Sequence, residues 1–209
     1  MSEDRRIQIL SVDDHPVVRE GIAAVIAAQP DMNLVSQAPD GRSAIEEYRR
    51  HRPDVTLMDM RLPDMNGIDA VIAIRSEFAD ARIVMLSLFQ GDVEIRRALN
   101  AGARGFLLKS MLPRDMVASI RQVHAGKKCL PPDVAAHLVE FLGEDVLTPR
   151  EVQVLQLVAA GKGNRDIGDA LAISEDTVKT HVKHVMGKLG ANDRTDAVVI
   201  GLRRGIIQL

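Results

Sequence analysis

The chain has few of the residues that mark several large protein classes. Its 209 residues include one cysteine, no tryptophan and only five aromatic residues, one tyrosine and four phenylalanines. A single cysteine cannot form an intramolecular disulfide, which excludes a disulfide-stabilised secreted domain. No apolar run approaches the roughly 20 residues of a membrane span, and the N-terminal stretch MSEDRRIQIL is charged, unlike a signal peptide. We therefore expect a soluble, cytoplasmic protein without membrane association.

No sign of charge dominates the whole chain, whose formal net charge is -2. The charges are nevertheless unevenly divided, because residues 146–209 carry 9 Lys and Arg against 7 Asp and Glu, whereas residues 1–145 carry 18 against 22. A chain of this length with 46% hydrophobic residues can bury one large core or two smaller ones, and we expect two domains. The acidic and the mildly basic part are expected to bind different partners.

Short apolar runs alternate with amphipathic stretches over the first 125 residues, which predicts a parallel sheet covered on both faces by helices. The predicted strands span residues 7–12, 33–37, 54–59, 82–88 and 104–108. The predicted helices span residues 16–28, 41–51, 67–77, 91–101 and 112–125. Ligands of such sheets bind beyond the carboxyl ends of the strands, near the point where the strand order reverses.

The residues at these strand ends carry functional groups that fit one site. They are Asp13, Asp14, Asp59, Ser87 and Lys109. Three carboxylates in one crevice repel each other unless a cation such as Mg²⁺ lies between them, and Mg²⁺ prefers oxygen ligands. Beside such a cation, Asp59 could act as a nucleophile that accepts a phosphoryl group. Any one of these aspartates alone is more simply a solvated loop residue or a helix cap, but the five positions together favour a site.

The remaining residues divide into a linker and a helical region. Gly126 and the Pro131-Pro132 pair end the fifth helix, and DVAAHLVEFL in the linker has helical spacing. From Thr148 onward the apolar spacing is helical throughout, and capping residues divide it into four helices. The predicted caps are Thr148 with Glu151, Asn164, Ser174 and Asp193. We predict a domain at 1–125, a linker at 126–145 and a second domain at 146–209.

The third of these helices, residues 175–189, has two distinct faces. At 100° per residue its valines and Leu189 share one arc, which we expect to face the core, while Lys179, Thr180 and Lys183 cluster on the opposite side. Lysine can bind phosphates or guanine edges and threonine can contact bases, so this face suits the major groove of DNA. Lysines on an outer helix face also commonly serve only for solvation, and charge alone does not decide between the two interpretations.

The motifs VDDH, DVTLMDMRLPDMNGID, VMLSL and GARGFLLKS resemble the receiver domain of two-component response regulators over residues 7–125. The resemblance implies a five-stranded, doubly wound parallel sheet of the flavodoxin-like type. It implies that Asp59 accepts the phosphoryl group and that Asp14 and Asp59 bind Mg²⁺ directly, with help from the backbone carbonyl of Arg61. Asp13 would assist through water.

The same resemblance assigns roles to residues on the later strands. Ser87 and Lys109 would bind the phosphoryl oxygens, and Phe106 would occupy the aromatic switch position that turns inward when Ser87 moves. From spacing alone, Phe106 would be interpreted as an ordinary core residue. Gly67 matches the family at the start of the third helix.

The stretch from LTPREV to RTDAV resembles the LuxR-type four-helix DNA-binding domain of NarL/FixJ-type regulators over residues 146–203. The resemblance implies a small all-α domain with a helix-turn-helix. Its residues toward DNA would be Lys179, Thr180 and Lys183 in the major groove, with His181 and Lys188 nearer the backbone. The sequence departs from the family at Gly163 and Gly168, where Ser and Ala are usual.

These observations predict a DNA-binding response regulator that is not an enzyme. A partner sensor histidine kinase would phosphorylate Asp59 and so control binding to double-stranded DNA and transcription, with a homodimer forming on phosphorylation or on DNA. One alternative is a pseudo-receiver that binds DNA without phosphorylation, which the complete set of strand-end residues argues against. The other is a Mg²⁺-dependent phosphohydrolase, which would leave the C-terminal helices unexplained.

Overall fold

A computed structural model describes residues 6–88, 91–111, 113–140 and 147–207. Its strands are β1 (Ile7–Val12), β2 (Met32–Ala38), β3 (Val55–Asp59), β4 (Ile83–Ser87) and β5 (Gly105–Leu108). The helices that alternate with them are α1 (Pro16–Ala27), α2 (Gly41–His51), α3 (Gly67–Glu77), α4 (Asp92–Asn100) and α5 (Pro113–His124). The later helices are α6 (Pro132–Glu140), α7 (Pro149–Ala159), α8 (Asn164–Leu171), α9 (Glu175–Leu189) and α10 (Arg194–Arg203).

The chain divides into two compact units. One comprises residues 1–88 and 96–135, and the other comprises residues 89–95 and 136–209. No helix in the part of the chain that the structure describes is long and apolar enough to span a membrane.

The five strands form one parallel sheet in the order β2-β1-β3-β4-β5, which confirms the predicted fold class. β3 and β4 are buried at every residue, as expected for strands covered on both faces. The strand order reverses between β1 and β3, so the crevice at their carboxyl ends is the expected binding position of this fold. The predicted strands agree with the observed ones to within one residue at each end. The predicted fifth helix began at Leu112, which lies outside the described residues.

Helices α1 and α5 pack on the same face of the sheet. Ile22 and Ile26 from α1 join Val117 and Ile120 from α5 in one apolar cluster with residues of β1, β3, β4 and β5. Each of these four side chains is buried. Burying a side chain of this size stabilises the fold by about 1.5–3 kcal/mol relative to leaving it exposed, so this face contributes a large part of the core energy.

The segment after α5 returns to the sheet before the linker helix begins. Cys129 forms a parallel bridge with Gly105 at the outer side of β5. Its backbone N–H donates to the carbonyl of Arg104 at 2.9 Å, and its carbonyl accepts from the N–H of Phe106 at 3.1 Å. The Cys129 side chain is buried in the same apolar cluster as α1 and α5, so this thiol is a core residue.

Side-chain caps fix the ends of the C-terminal helices. Thr148 and Glu151 form the predicted capping box at α7, Ser174 caps α9, and Asp193 caps α10. The prediction that Asn164 caps α8 was wrong, because Asn164 is the first helical residue and the carboxylate of Asp166 accepts from the preceding N–H group instead. The short connection between α8 and α9 and the shared core of these helices make a helix-turn-helix.

Glu151 also connects two helices of this unit. Its Oε2 accepts from the backbone N–H of Thr148 at 2.7 Å and from Nζ of Lys188, on α9, at 2.8 Å. Burial raises the pKa of Glu151, but the bonds from Lys188 and Thr148 outweigh it, so the pKa lies below its ordinary value of 4.5. The charged carboxylate therefore stabilises the folded state.

We expect Glu151→Gln to lower the free energy of unfolding of the helical unit by about 1–2 kcal/mol at pH 7, because it weakens a cap and an ion pair. The carboxylate's stabilisation is fully present above the unfolded pKa and is lost as the pH falls through the lower folded pKa. The difference between wild type and variant should therefore shrink below about pH 4.5. Urea unfolding followed by circular dichroism at several pH values measures it. Glu175→Gln, on an exposed site of α9, is the control, and a difference independent of pH would contradict this account.

Candidate metal centre and nucleic-acid interface

Three acidic side chains converge at the carboxyl edge of the sheet. Asp13 and Asp14 follow β1, Asp59 is the last residue of β3, and these two strands are neighbours. One carboxylate oxygen of each, together with one ring nitrogen of His15, lies within 4.8 Å of the others. Asp13 and Asp59 are buried, whereas Asp14 is exposed. Strand pairing alone thus places the acidic groups of two distant segments in one crevice.

The ammonium of Lys109 bonds two of these carboxylates. Its Nζ lies 2.7 Å from Oδ2 of Asp13 and 2.7 Å from Oδ2 of Asp59. Burial lowers the pKa of Lys109, but its bonds to Asp13 and Asp59 outweigh this, so its pKa lies above the ordinary value. Burial raises the pKa of Asp59, the bond from Lys109 opposes this, and repulsion from Asp13 adds to it. One cation therefore faces two buried carboxylates, and negative charge remains for a second cation to neutralise.

The other predicted residues of this site occupy the adjoining strands and loop. Ser87 is the last residue of β4 and is buried, and its carbonyl accepts from the N–H of Lys109 at 2.8 Å. Ser87 and Lys109 thus lie at the same edge of the sheet as Asp59. Phe106, on β5, is fully buried, and Arg61, two residues after Asp59, is exposed.

The loop after β3 folds back over the end of its own strand. The N–H of Gly67 donates to the carbonyl of Met60 at 2.9 Å, and Arg61 and Asn66 form an antiparallel bridge. The side chain of Asn66 caps α3. A Cβ atom at residue 67 would lie 1.9 Å from the carbonyl oxygen of Asp59, far inside van der Waals contact. Glycine is therefore required here for close approach of the backbone.

His15 is a further candidate ligand, which its sequence position did not single out. Its Nδ1 lies 2.6 Å from Oδ1 of Asp14 and 3.2 Å from Oδ1 of Asp13, and its side chain is 62% exposed. The signal in the sequence was its place directly after two aspartates in VDDH. Imidazole suits transition metals better than Mg²⁺, so the oxygen atoms are the more fitting ligands for a hard cation.

The donor set therefore fits a hard divalent cation. Carboxylate oxygens of Asp13, Asp14 and Asp59 are available in one crevice, and Mg²⁺ is commonly bound by one or two carboxylates together with water. The same crevice holds a buried ammonium, which can bind an anionic group. The arrangement can thus place a cation, an anion and a carboxylate nucleophile side by side.

The exposed face of α9 carries the residues predicted to contact DNA. Lys179, Thr180 and Lys183 are exposed and His181 is half-buried, while Val178 on the opposite side is fully buried. Thr180 donates its hydroxyl hydrogen to the carbonyl of a residue one turn earlier, at 3.0 Å. The division of α9 into an apolar and an exposed face therefore follows the predicted arcs.

Lys188 lies in a different environment from the other lysines of α9. Its side chain is 26% exposed, and its ammonium bonds Glu151 of α7. This bond holds two helices together, a role that could not be read from helical spacing. A lysine ammonium has three hydrogens to donate, so the bond does not use up its capacity for a phosphate.

Two family models match the chain. The response regulator receiver domain matches residues 9–121, and the bacterial regulatory proteins of the luxR family match residues 145–200. The first match covers more than half of the chain. The chain belongs to the response regulators of two-component systems, and specifically to those with a LuxR-type DNA-binding domain.

Individual relatives agree with this assignment over nearly the full length. The transcriptional regulatory protein YxjL of Bacillus subtilis (strain 168) is 39% identical over 220 residues, which cover 100% of both chains. The transcriptional regulatory protein DegU of Brevibacillus brevis is 33% identical over 229 residues, 99% of this chain and 97% of that one. A two-component response regulator of the LuxR family from Aurantimonas sp. SI85-9A1 has a crystal structure with a TM-score of 0.63 and 37% identity, covering 65% of this chain and 96% of that chain. The family predicted from the motifs is confirmed.

Proposed function

We propose that Asp59 is the phospho-acceptor of this regulator, that a sensor histidine kinase supplies the phosphoryl group, and that phosphorylation controls DNA binding and transcription. The observation that carries the proposal is the bond from buried Lys109 to Oδ2 of Asp59, beside the carboxylates of Asp13 and Asp14. A nucleophilic carboxylate needs neighbours that stabilise the oxygens of the incoming phosphoryl group, and this crevice provides them.

The proposed step forms one bond and breaks another. A carboxylate oxygen of Asp59 attacks the phosphorus of a phosphohistidine, the phosphorus–nitrogen bond breaks, and the nitrogen keeps the electron pair. Lys109 donates hydrogen bonds to the phosphoryl oxygens, and Ser87 binds them from the end of β4. Asp13, Asp14, Asp59 and the backbone carbonyl of Arg61 would hold Mg²⁺, which neutralises charge on the transferred group.

Phe106 is proposed as the residue that reports the phosphorylated state. Its ring is fully buried on β5, the strand that leads to Lys109. A buried ring so close to the site responds to movement of Ser87 only by repacking, because cores contain little free volume. Such a response is discrete and therefore suited to a two-state switch.

Incubation with acetyl phosphate and Mg²⁺, followed by intact-mass measurement, tests the phospho-acceptor assignment against its alternatives. One stable phosphoryl adduct supports the response regulator. No adduct would favour a pseudo-receiver that binds DNA without phosphorylation, and multiple turnover with release of inorganic phosphate would favour a phosphohydrolase. Omission of Mg²⁺ is the matched control, since the carboxylates then lack the proposed cation.

The proposed DNA interface is the exposed face of α9. Lys179, Thr180 and Lys183 would enter the major groove, with His181 and Lys188 nearer the phosphates. The C-terminal domain at 146–209 has its own caps and its own buried clusters, which supports its folding separately from a receiver at 1–125.

A helix-turn-helix domain of this size presents one recognition helix, and two copies on adjacent half-sites gain affinity. We therefore expect phosphorylation to promote a homodimer through the receiver, with α1 and α5 as the proposed surface. Val117, Ile120 and Val123 of α5 are buried, so this surface must depend on the partly buried and polar residues around them.

Light scattering measures this dimerisation as a larger mass after addition of acetyl phosphate and Mg²⁺. DNA affinity should rise over the same range of protein concentration, because the dimer binds two half-sites at once. A monomer mass that stays unchanged while DNA binding tightens would reject the dimer as the route. Protein treated with the phosphodonor but without Mg²⁺ is the control.

A further inference from the structure

The first turn of the recognition helix α9 contains an acidic residue on the face proposed to meet DNA. At 100° per residue, Asp176 lies within 40° of both Thr180 and Lys183 and 60° from Lys179. Its side chain is 90% exposed. Among the residues that share this face, Asp176 alone is negatively charged. Because DNA phosphates repel a carboxylate, its presence on this face calls for an explanation.

Asp176 is paired with the lysine one turn further along the helix. Its Oδ1 lies 3.1 Å from Nζ of Lys179, and Oε1 of Glu175 lies 3.2 Å from the same ammonium. Residues three apart are neighbours on a helix surface, so the backbone itself brings the carboxylate and the ammonium together. The pair presents an acceptor and a donor side by side.

We propose that Asp176 and Lys179 together read one G·C base pair in the major groove, an inference that rests on the proposed use of α9 as the recognition helix. In a G·C pair the guanine O6 acceptor and the cytosine N4 donor are hydrogen-bonded to each other, about 2.9 Å apart. The 3.1 Å between the carboxylate oxygen and the ammonium matches this spacing. Asp176 accepts from cytosine N4–H, and Lys179 donates to guanine O6 and N7.

Two other accounts of Asp176 explain less. Acidic residues favour the first turn of a helix through the macrodipole, but Glu175 already supplies that interaction from outside the exposed arc. An A·T pair also offers a donor beside an acceptor, but only guanine offers two adjacent acceptors to an ammonium, and the thymine methyl group is unfavourable next to charges. The geometry therefore favours G·C.

Selection from a random-sequence duplex library, with the full-length protein treated with acetyl phosphate and Mg²⁺, tests the inference. The wild type should select sites with a fixed G·C pair in each half-site. Asp176→Ala should reduce discrimination at that position roughly 5- to 100-fold while other positions keep their preference. Lys179→Ala should lose the same position, and Glu175→Ala, the matched control, should keep it.

Binding titrations on the selected duplex and on one with that base pair changed complete the test. If Asp176→Ala binds every sequence more tightly by the same factor, the carboxylate only repels phosphates and the inference is overturned. Loss of preference at an A·T pair would overturn the assignment to G·C. If the wild type selects no DNA at all, the proposed interface itself fails, whereas selection that is unaffected by Asp176→Ala removes only this inference. Circular dichroism establishes that each variant is folded.

Discussion

Asp59→Asn should abolish incorporation of phosphate from acetyl phosphate, with no adduct in the intact mass. Asparagine is nearly isosteric with aspartate, but its amide lacks the charged oxygen that attacks phosphorus and that binds a cation. Asp69→Asn, an identical change of charge at an exposed residue of α3, should leave incorporation unchanged. Normal labelling of the Asp59 variant would move the acceptor to another residue.

The same variant makes a prediction about stability. Burial and the nearby Asp13 raise the pKa of Asp59, so its charge is unfavourable in the folded state. The carboxylate's contribution is least unfavourable at low pH, and it worsens as the pH rises through the unfolded pKa toward the folded one. Without Mg²⁺ at pH 7, Asp59→Asn should therefore melt at the same temperature as the wild type or higher. Added Mg²⁺ should raise the melting temperature of the wild type more than that of the variant.

Gly67→Ala should lower the free energy of unfolding of the receiver unit by about 3 kcal/mol, because its methyl group would collide with the carbonyl of Asp59. The loop after β3 must then move away from the strand end, and the Gly67–Met60 hydrogen bond is lost. We expect the melting temperature to fall on the order of 10 °C. Calorimetry suits the measurement, since the chain has no tryptophan to report unfolding.

Gly21→Ala is the matched control for this effect. Gly21 lies inside α1, and a Cβ atom there would meet nothing within 4 Å. Alanine in a helix interior is more favourable than glycine by about 0.5–1 kcal/mol, so this change should stabilise the protein. The two substitutions are chemically identical, and equal effects from them would refute the steric account of Gly67.

Much of the receiver fold and its acidic site could be predicted from sequence because both depend on local patterns. Alternating runs give the strands, and parallel strands bring their carboxyl ends to one edge, so Asp13 and Asp59 could be placed together from residues 46 positions apart. The bond from Lys109 to both carboxylates could not be predicted, because it depends on how one side chain packs. The same holds for His15, whose ring position is set by side-chain torsions.

The helical domain shows the same division between local and distant information. Three of the four predicted caps are present, because capping depends on residues within one turn. Asn164 was misplaced by one residue, since Asn, Asp and Gly are all acceptable near a helix start and adjacent candidates compete. Lys188 was predicted only as a DNA contact, because its bond to Glu151 joins residues 37 positions apart and leaves no mark on helical spacing.

The return of Cys129 to the outer side of β5 has a consequence for sheet edges. β5 is the last strand of the sheet, and an uncovered last strand offers unpaired N–H and C=O groups to other chains. The bonds of Cys129 to Arg104 and Phe106 occupy those groups. A receiver fragment that stops at residue 125 would expose this edge to intermolecular pairing and aggregation, whereas one that continues through Pro131 would keep it covered.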